Sequence, residues 1–229
     1  MKKFAAISKF PRPTPTAKAK VRLEPVRDAE RTQQAILAAA EEEFAEKGLA
    51  GARVDAIAEQ SGANKRMLYY YFGSKENLYL AVLERTYGAM RQAERELNLI
   101  DLEPLDAIRR LVEFKFDYYR EHPRLIRLLA GENMLDASFL KHSRQLREMH
   151  SSLGEILKAV LAAGQKQQVV RPGIDPVHLY ISITALSYFY FANRATLSVA
   201  FGRDLSVASE LTERRAHAVE VMLDYVRLH

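Results

Sequence analysis

The chain has 229 residues, 48% of them apolar and 28% charged, which suits a folded globular protein with a sizeable core. It has no cysteine, which excludes disulfides and thiol redox chemistry and fits a cytoplasmic setting. Its net charge is +5, and all of that excess lies before residue 76: residues 1–75 hold 14 Lys and Arg against 9 Asp and Glu, while the remaining 20 and 20 cancel. Cationic excess confined to one end is the footprint of a module that binds phosphate.

Residues 1–27 carry eight basic residues and one acid, with Pro11, Pro13, Pro15 and Pro25 interrupting any helix. They read as a flexible basic arm, either a solvated tail or one that adds sequence-independent phosphate contacts. A first helix is expected from about Asp28 to Lys47, with Ile36, Leu37, Ala40 and Phe44 on its core stripe and Gly48 ending it. The run Glu41-Glu42-Glu43 reads as a solvated face.

Residues 54–72 are the most informative stretch. Val54, Ile57 and Ala58 share one face of a short helix that Ser61-Gly62 terminates, glycine tolerating the left-handed conformation there. Asn64 is a good N-cap for a second helix running through Lys65, Arg66, Met67 and Leu68 into Tyr69-Tyr70-Tyr71-Phe72. Two helices joined by a short glycine turn form a helix-turn-helix, whose second helix enters the major groove of DNA. Helical hairpins of this kind are common, so the pattern alone does not decide. The side chains do: cations and tyrosine hydroxyls suit phosphate oxygens and base edges. The candidate DNA-contacting residues are Thr32, Arg53, Asn64, Lys65, Arg66, Met67, Tyr69, Tyr70, Tyr71 and Lys75.

Ser74 caps a fourth helix that reaches about Asn98, about 35 Å at roughly 1.5 Å per residue, long enough to join the first module to the rest of the chain. Further helices are expected at about Pro104–Glu121, Arg124–Met134, Ser138–Gln168 (with a bend at Gly154 or Gly164), Pro176–Ala200 and Ser206–Leu228. No run alternates as a strand does, and nothing repeats, so the fold class is all-α with about nine helices. The most apolar run, Tyr180 to Ala192, is too short to cross a bilayer.

The stretches Arg31-Thr32…Ile36-Leu37-Ala38-Ala39-Ala40…Phe44…Gly48 and Ile57-Ala58…Ser61-Gly62…Leu68-Tyr69…Tyr71-Phe72-Gly73-Ser74-Lys75-Glu76 resemble the N-terminal domain of the TetR family of bacterial regulators. The chain departs from the usual pattern at Ala52-Arg53, where Thr or Ser is common. It departs again at Asn64-Lys65-Arg66-Met67, where Ser-Lys-Gly-Thr is common. In the second half, Pro104-Leu105-Asp106-Ala107-Ile108, His122-Pro123…Arg127-Leu128 with Glu132, and Gly173-Ile174-Asp175-Pro176…His178-Leu179 are similar to the branch containing pyrimidine-utilisation regulators. The resemblance implies a homodimeric repressor with three parts: an arm (1–27), a helix-turn-helix domain (28–74) and an effector-binding and dimerisation domain (75–229).

It also implies a pocket for a small-molecule effector, for which Met90, Tyr118, Thr184 and Tyr188 are the candidates. Ordinary core packing competes with a ligand role at each of the four. The last two helices are so apolar that one face calls for a second covering surface, as in a four-helix dimer seam with Leu211, Ala218, Val219, Met222 and Val226 on the side of the last helix; burial inside one subunit is the competing reading. The expected partners are a palindromic operator, an effector and a second copy of the chain, with no membrane.

Two other functions compete. The six histidines form no metal pattern, and neither a phosphate loop nor a nucleophile elbow is present, so neither catalysis nor a metal or other cofactor is expected. A constitutive or architectural DNA-binding protein without an effector is the other alternative, favoured by the basic arm.

Overall fold

The computed structural model describes residues 24–228. Among them are nine α-helices: α1 (Glu24–Gly51), α2 (Val54–Ser61), α3 (Lys65–Phe72), α4 (Lys75–Arg95), α5 (Pro104–Glu121), α6 (Pro123–Met134), α7 (Arg144–Lys166), α8 (Pro176–Phe201) and α9 (Ala208–Val226). Short 3-10 turns occupy Leu99–Asp101 and Leu140–His142.

The boundaries follow from local chemistry. The side chains of Asn64, Ser74 and Asp175 each accept a hydrogen bond from the backbone N–H three residues on, capping α3, α4 and α8. Pro104, Pro123 and Pro176 stand at helix starts, where a missing N–H costs nothing. Gly62 (φ 68°) closes α2 in the left-handed region. Gly48, with φ 64° and ψ 176°, breaks α1 just after Lys47, so the regular helix ends where the sequence places its end.

Two boundaries differ from expectation. The first helix begins at Glu24, so residues 24–27 are helical rather than part of an arm; Pro25 falls in the first turn. Residues 1–23, where the rest of the arm was read, lie outside the described residues. The seventh helix starts at Arg144 instead of Ser138, because Asp136 (φ 54°) and Ala137 (φ 53°) turn left-handed. The buried carboxylate of Glu132 accepts from the N–H groups of Phe139 (2.8 Å) and Leu140 (2.9 Å), which holds that turn.

Gly164 is not a bend. A Cβ there would lie 2.9 Å from Val170 Cβ and closer still to its Cγ2, so glycine admits the returning chain. That return makes an isolated antiparallel bridge between Val170 and Arg227, with Arg171 N–H on Val226 O (2.9 Å) and Leu228 N–H on Val169 O (3.1 Å).

Buried side chains form three clusters. The N-terminal one gathers Ile36, Ala40, Phe44, Ile57 and Leu68, continues through Leu78, Tyr79, Val82 and Leu83 of α4, and takes in Leu128 of α6. The C-terminal one joins α5, α7, α8 and α9 around Ile108, Leu111, Leu157, Leu179, Ile183 and Met222. Between them lies a third, of Met90, Tyr119, Leu125, Ile126 and Leu129, flanked by Tyr87, Tyr118, Tyr188 and Phe191. Helix α4 therefore contributes to the core at one end and to the joint at the other.

Candidate DNA interface and ligand cavity

The α2–α3 turn is held by its own side chains: Ser61 Oγ donates to Ala58 O (3.1 Å) and accepts from Ala63 N–H (3.4 Å). On α3, Leu68 is fully buried, while Lys65, Arg66, Tyr69 and Tyr70 are exposed at i, i+1, i+4 and i+5, one continuous face. Tyr70 is 82% exposed. Tyr71 differs from its neighbours: half-buried, it packs against the N-terminal core and meets Tyr70 edge-on at 5.2 Å. Met67 is half-buried, and its N–H is spent on the Asn64 cap (2.9 Å).

The other candidates sit around this face. Lys65 pairs with Asp55 at 3.0 Å across the α2–α3 junction. Lys75 Nζ donates to Ala50 O (3.4 Å), so it also ties α4 to the end of α1. Thr32 Oγ1 donates to Asp28 O (2.7 Å), within its own helix. The Arg53 side chain is exposed, while its N–H donates to Glu43 Oε1 (2.9 Å).

The acidic run of α1 is not a solvated face. Its three residues point about 100° apart and reach three different elements. Glu41 pairs with Arg85 of α4 (3.7 Å), and Glu42 meets both Gln60 of α2 (2.8 Å) and Arg124 of α6 (3.2 Å). Glu43, 5% exposed, takes Lys47 (2.7 Å) and the N–H that opens α2. Burial pushes its carboxyl pKa up, but the hydrogen bonds from Lys47 and Arg53 outweigh that and hold it below the ordinary value.

At the joint between the cores is a cavity of about 220 Å³ lined by Tyr87, Met90, Arg91, Tyr119, Leu129, Asn133, Tyr180, Thr184 and Tyr188. Met90, Thr184 and Tyr188 of the four sequence candidates line it. Tyr118 does not: it stacks on His122 at 3.9 Å, and Tyr119, one residue on, takes the place by the cavity. Reading α5 one residue out of phase accounts for the difference.

Beneath the cavity is a set of charges that sequence reading missed. Arg91 and Lys115, 3% and 0% exposed, both pair with the carboxylate of Glu94, itself 3% exposed. Arg91 Nη1 and Lys115 Nζ each donate to the Tyr180 oxygen at 2.6 Å, and the Tyr180 hydroxyl lies 3.4 Å from Glu94 Oε1. Lys115 was legible: it falls on the apolar stripe Ile108, Leu111, Val112, Phe116, Tyr119, where a charge is out of place. Burial raises the Tyr87 hydroxyl to about 12 and pushes Tyr119 still further up, so both rings are neutral donors at neutral pH.

On α8, Ile181 (54%) and Phe189 (56%) are exposed, and Phe189 lines a groove with Val221 and Tyr225 of α9. Ala218, Val219, Met222 and Val226, read in sequence as the α9 side of a subunit seam, are instead buried in this subunit's own core. The phase is again the reason: the outward face of α9 begins one residue away, at Val221.

A basic, aromatic recognition helix on a helix-turn-helix core, joined by a long helix to a hollow helical bundle, defines a DNA-binding regulator. Residues 36–82 match the family model described as bacterial regulatory proteins, tetR family, and residues 104–222 match the tetracyclin repressor-like C-terminal domain. The chain belongs to the TetR family and is a DNA-binding transcriptional regulator.

Among curated relatives, it is 40% identical over 178 residues to the transcriptional repressor NicS of Pseudomonas putida, covering 78% of this chain and 84% of that one. It is 35% identical over 163 residues to the transcriptional regulator RutR of Escherichia coli K12, covering 69% and 73%. A solved structure of the regulator SCO4942 from Streptomyces coelicolor superposes with a TM-score of 0.66 at 30% identity, covering 85% of this chain and 98% of that one. These relatives are regulators, not enzymes. No helix among the described residues is long and apolar enough to cross a membrane.

Proposed function

We propose that the protein is a homodimeric repressor that leaves its operator when a small molecule fills the cavity between the cores. The observation that carries this reading is the course of α4. Its first turns lie in the DNA-binding core through Leu78, Tyr79, Val82 and Leu83; its later turns supply Met90 and Arg91 to the cavity wall. A ligand that prefers one placement of α4 over another moves the reading head with it, and equal affinity for both placements would shift nothing.

The reading head uses Lys65, Arg66, Tyr69 and Tyr70 in the groove, with Arg53, Asn64, Met67, Tyr71, Lys75 and Thr32 at its margins. The second copy docks on the exposed apolar face of α8 and α9. NicS is named a repressor, which supports the direction of control. A fold neighbour, FadR of Bacillus subtilis, was crystallised with stearoyl-CoA (TM-score 0.58, 18% identity). That neighbour supports the fold alone.

The test fills the cavity. Thr184→Trp should leave ligand-free operator affinity intact while abolishing the response to any metabolite that releases the wild type from DNA. A variant that still responds as the wild type does would place the effector elsewhere. A constitutive regulator would show no release with any member of a metabolite library and no ligand-induced rise in thermal stability.

A further inference from the structure

The charges around the cavity do not balance. Two cations, Arg91 and Lys115, share one carboxylate, Glu94, and all three are at least 97% buried. Glu132, the other buried acid close by, is engaged elsewhere: its Oε1 accepts from the Phe139 and Leu140 amides, while its Oε2 is buried without a hydrogen-bond partner. Lys115 is fully engaged, by Glu94, the Tyr180 oxygen and the sulfur of Met90 at 3.7 Å. One net positive charge is left to the Arg91–Lys115–Glu94 cluster, and Arg91 is its member that lines the cavity.

Two hydrogen-bonding groups of the cavity wall are also unmet. Arg91 Nε is buried without a partner, and so is Thr184 Oγ1 on the same cavity wall. A guanidinium N–H can only donate, so what it lacks is an acceptor. Two buried cations sharing one carboxylate carry a desolvation cost that a single pair does not, and a buried unmet donor adds to it. A bound anion removes both defects at once. The rest of the wall favours the body of that anion: the rings of Tyr87, Tyr119, Tyr180 and Tyr188 suit a planar apolar group, and about 220 Å³ suits a compact one.

We propose that the cavity takes a small monoanion, a carboxylate carried on a compact planar ring, with Arg91 binding its charge and Thr184 donating a second hydrogen bond. This assignment rests on the cavity being the effector site and adds the chemical class of the effector. In the empty state the excess charge is borne by the Arg91–Tyr180–Lys115 cluster. Occupancy draws Arg91, and with it α4, toward the ligand.

The experiment uses acetate, benzoate and phenylacetate, each beside its own amide, at constant chloride and ionic strength, on the intact protein. Thermal shift and operator titration are read for the wild type, Arg91→Met and Thr184→Trp. The expected result is that at least one ring carboxylate raises the melting temperature and weakens operator binding while its amide does neither. Arg91→Met should lower the affinity for that carboxylate about ten- to a hundredfold, as losing a charge-assisted hydrogen bond does. Arg91→Met leaves Lys115 and Glu94 as a balanced pair, so it should fold; if circular dichroism shows otherwise, Thr184→Val gives the same comparison through the second donor.

An amide acting as strongly as its carboxylate would overturn the anion class while leaving the cavity reading intact. A carboxylate acting equally on wild type, Arg91→Met and Thr184→Trp would show that the ligand sits elsewhere, and the cavity reading would fall. Silence from all three carboxylates would overturn the class.

Discussion

Phe189 and Met222 separate the proposed subunit seam from the subunit core. Both line the α8–α9 groove, but Phe189 is 56% exposed whereas Met222 is 2% exposed and belongs to the C-terminal core cluster. Fully burying a phenylalanine is worth about 1.5–3 kcal/mol, so burying the exposed half of Phe189 is worth about 1–1.5 kcal/mol. A two-fold seam counts it twice. Phe189→Ala should therefore weaken the dimer by about 2–3 kcal/mol, roughly a thirty- to hundredfold rise in its dissociation constant. Met222→Ala should instead lower the unfolding free energy by about 2–5 kcal/mol, as other deletions in a packed core do, with little change in the dimer constant of the folded fraction. Sedimentation equilibrium and chemical unfolding of both variants give the four numbers. A Phe189→Ala dimer as tight as the wild type would refute the assigned seam, and a Met222→Ala chain of unchanged stability would refute the core assignment.

Lys65→Ala should weaken operator binding almost uniformly across sequences and lower the salt slope by about one, because its exposed pair with Asp55 is weak enough to be exchanged for a phosphate; titration at several salt concentrations reads this. Glu43, held below the ordinary carboxyl value of 4.5, contributes stability that is present above that value and lost as the pH falls through its lower folded value. Glu43→Gln should remove that part of the acid sensitivity, seen as a flatter profile of unfolding midpoint against pH below 4.5. Gly164→Ala brings a methyl within 2.9 Å of Val170 Cβ and should cost about 1–3 kcal/mol in unfolding free energy, the usual range for overpacking a filled site.

What was legible in the sequence is what depends on neighbours along the chain. The caps at Asn64, Ser74 and Asp175, the breaks at Gly48 and Gly62, and the face of α3 all arise from side chains within four residues. What escaped depends on partners far away. Glu132 stops the start of α7 by binding amides seven and eight residues on, which no periodicity reports. Tyr118 and Tyr119 occupy adjacent positions on one helix, and only the packing of α5 against α4 and α8 decides which of them meets the cavity. Glu94 was invisible for the same reason, since its partners Lys115 and Tyr180 are distant in the chain. Lys115 was the exception that a stricter count of apolar positions on α5 would have flagged.

The continuity of the N-terminal core into α4 and α6 bears on any attempt to exchange reading heads between regulators. A graft cut at Gly73, where the recognition helix ends, would sever Leu68 from Leu78, Tyr79, Val82 and Leu83 and leave Leu128 facing foreign side chains. The acceptor would also need counterparts for Arg85 and Arg124, since Glu41 and Glu42 reach across to them. A chimera joined after Leu83, with residue 128 and the two arginines matched to the donor, keeps that interior whole. Operator specificity in this scaffold is thus portable only together with the first two turns of α4.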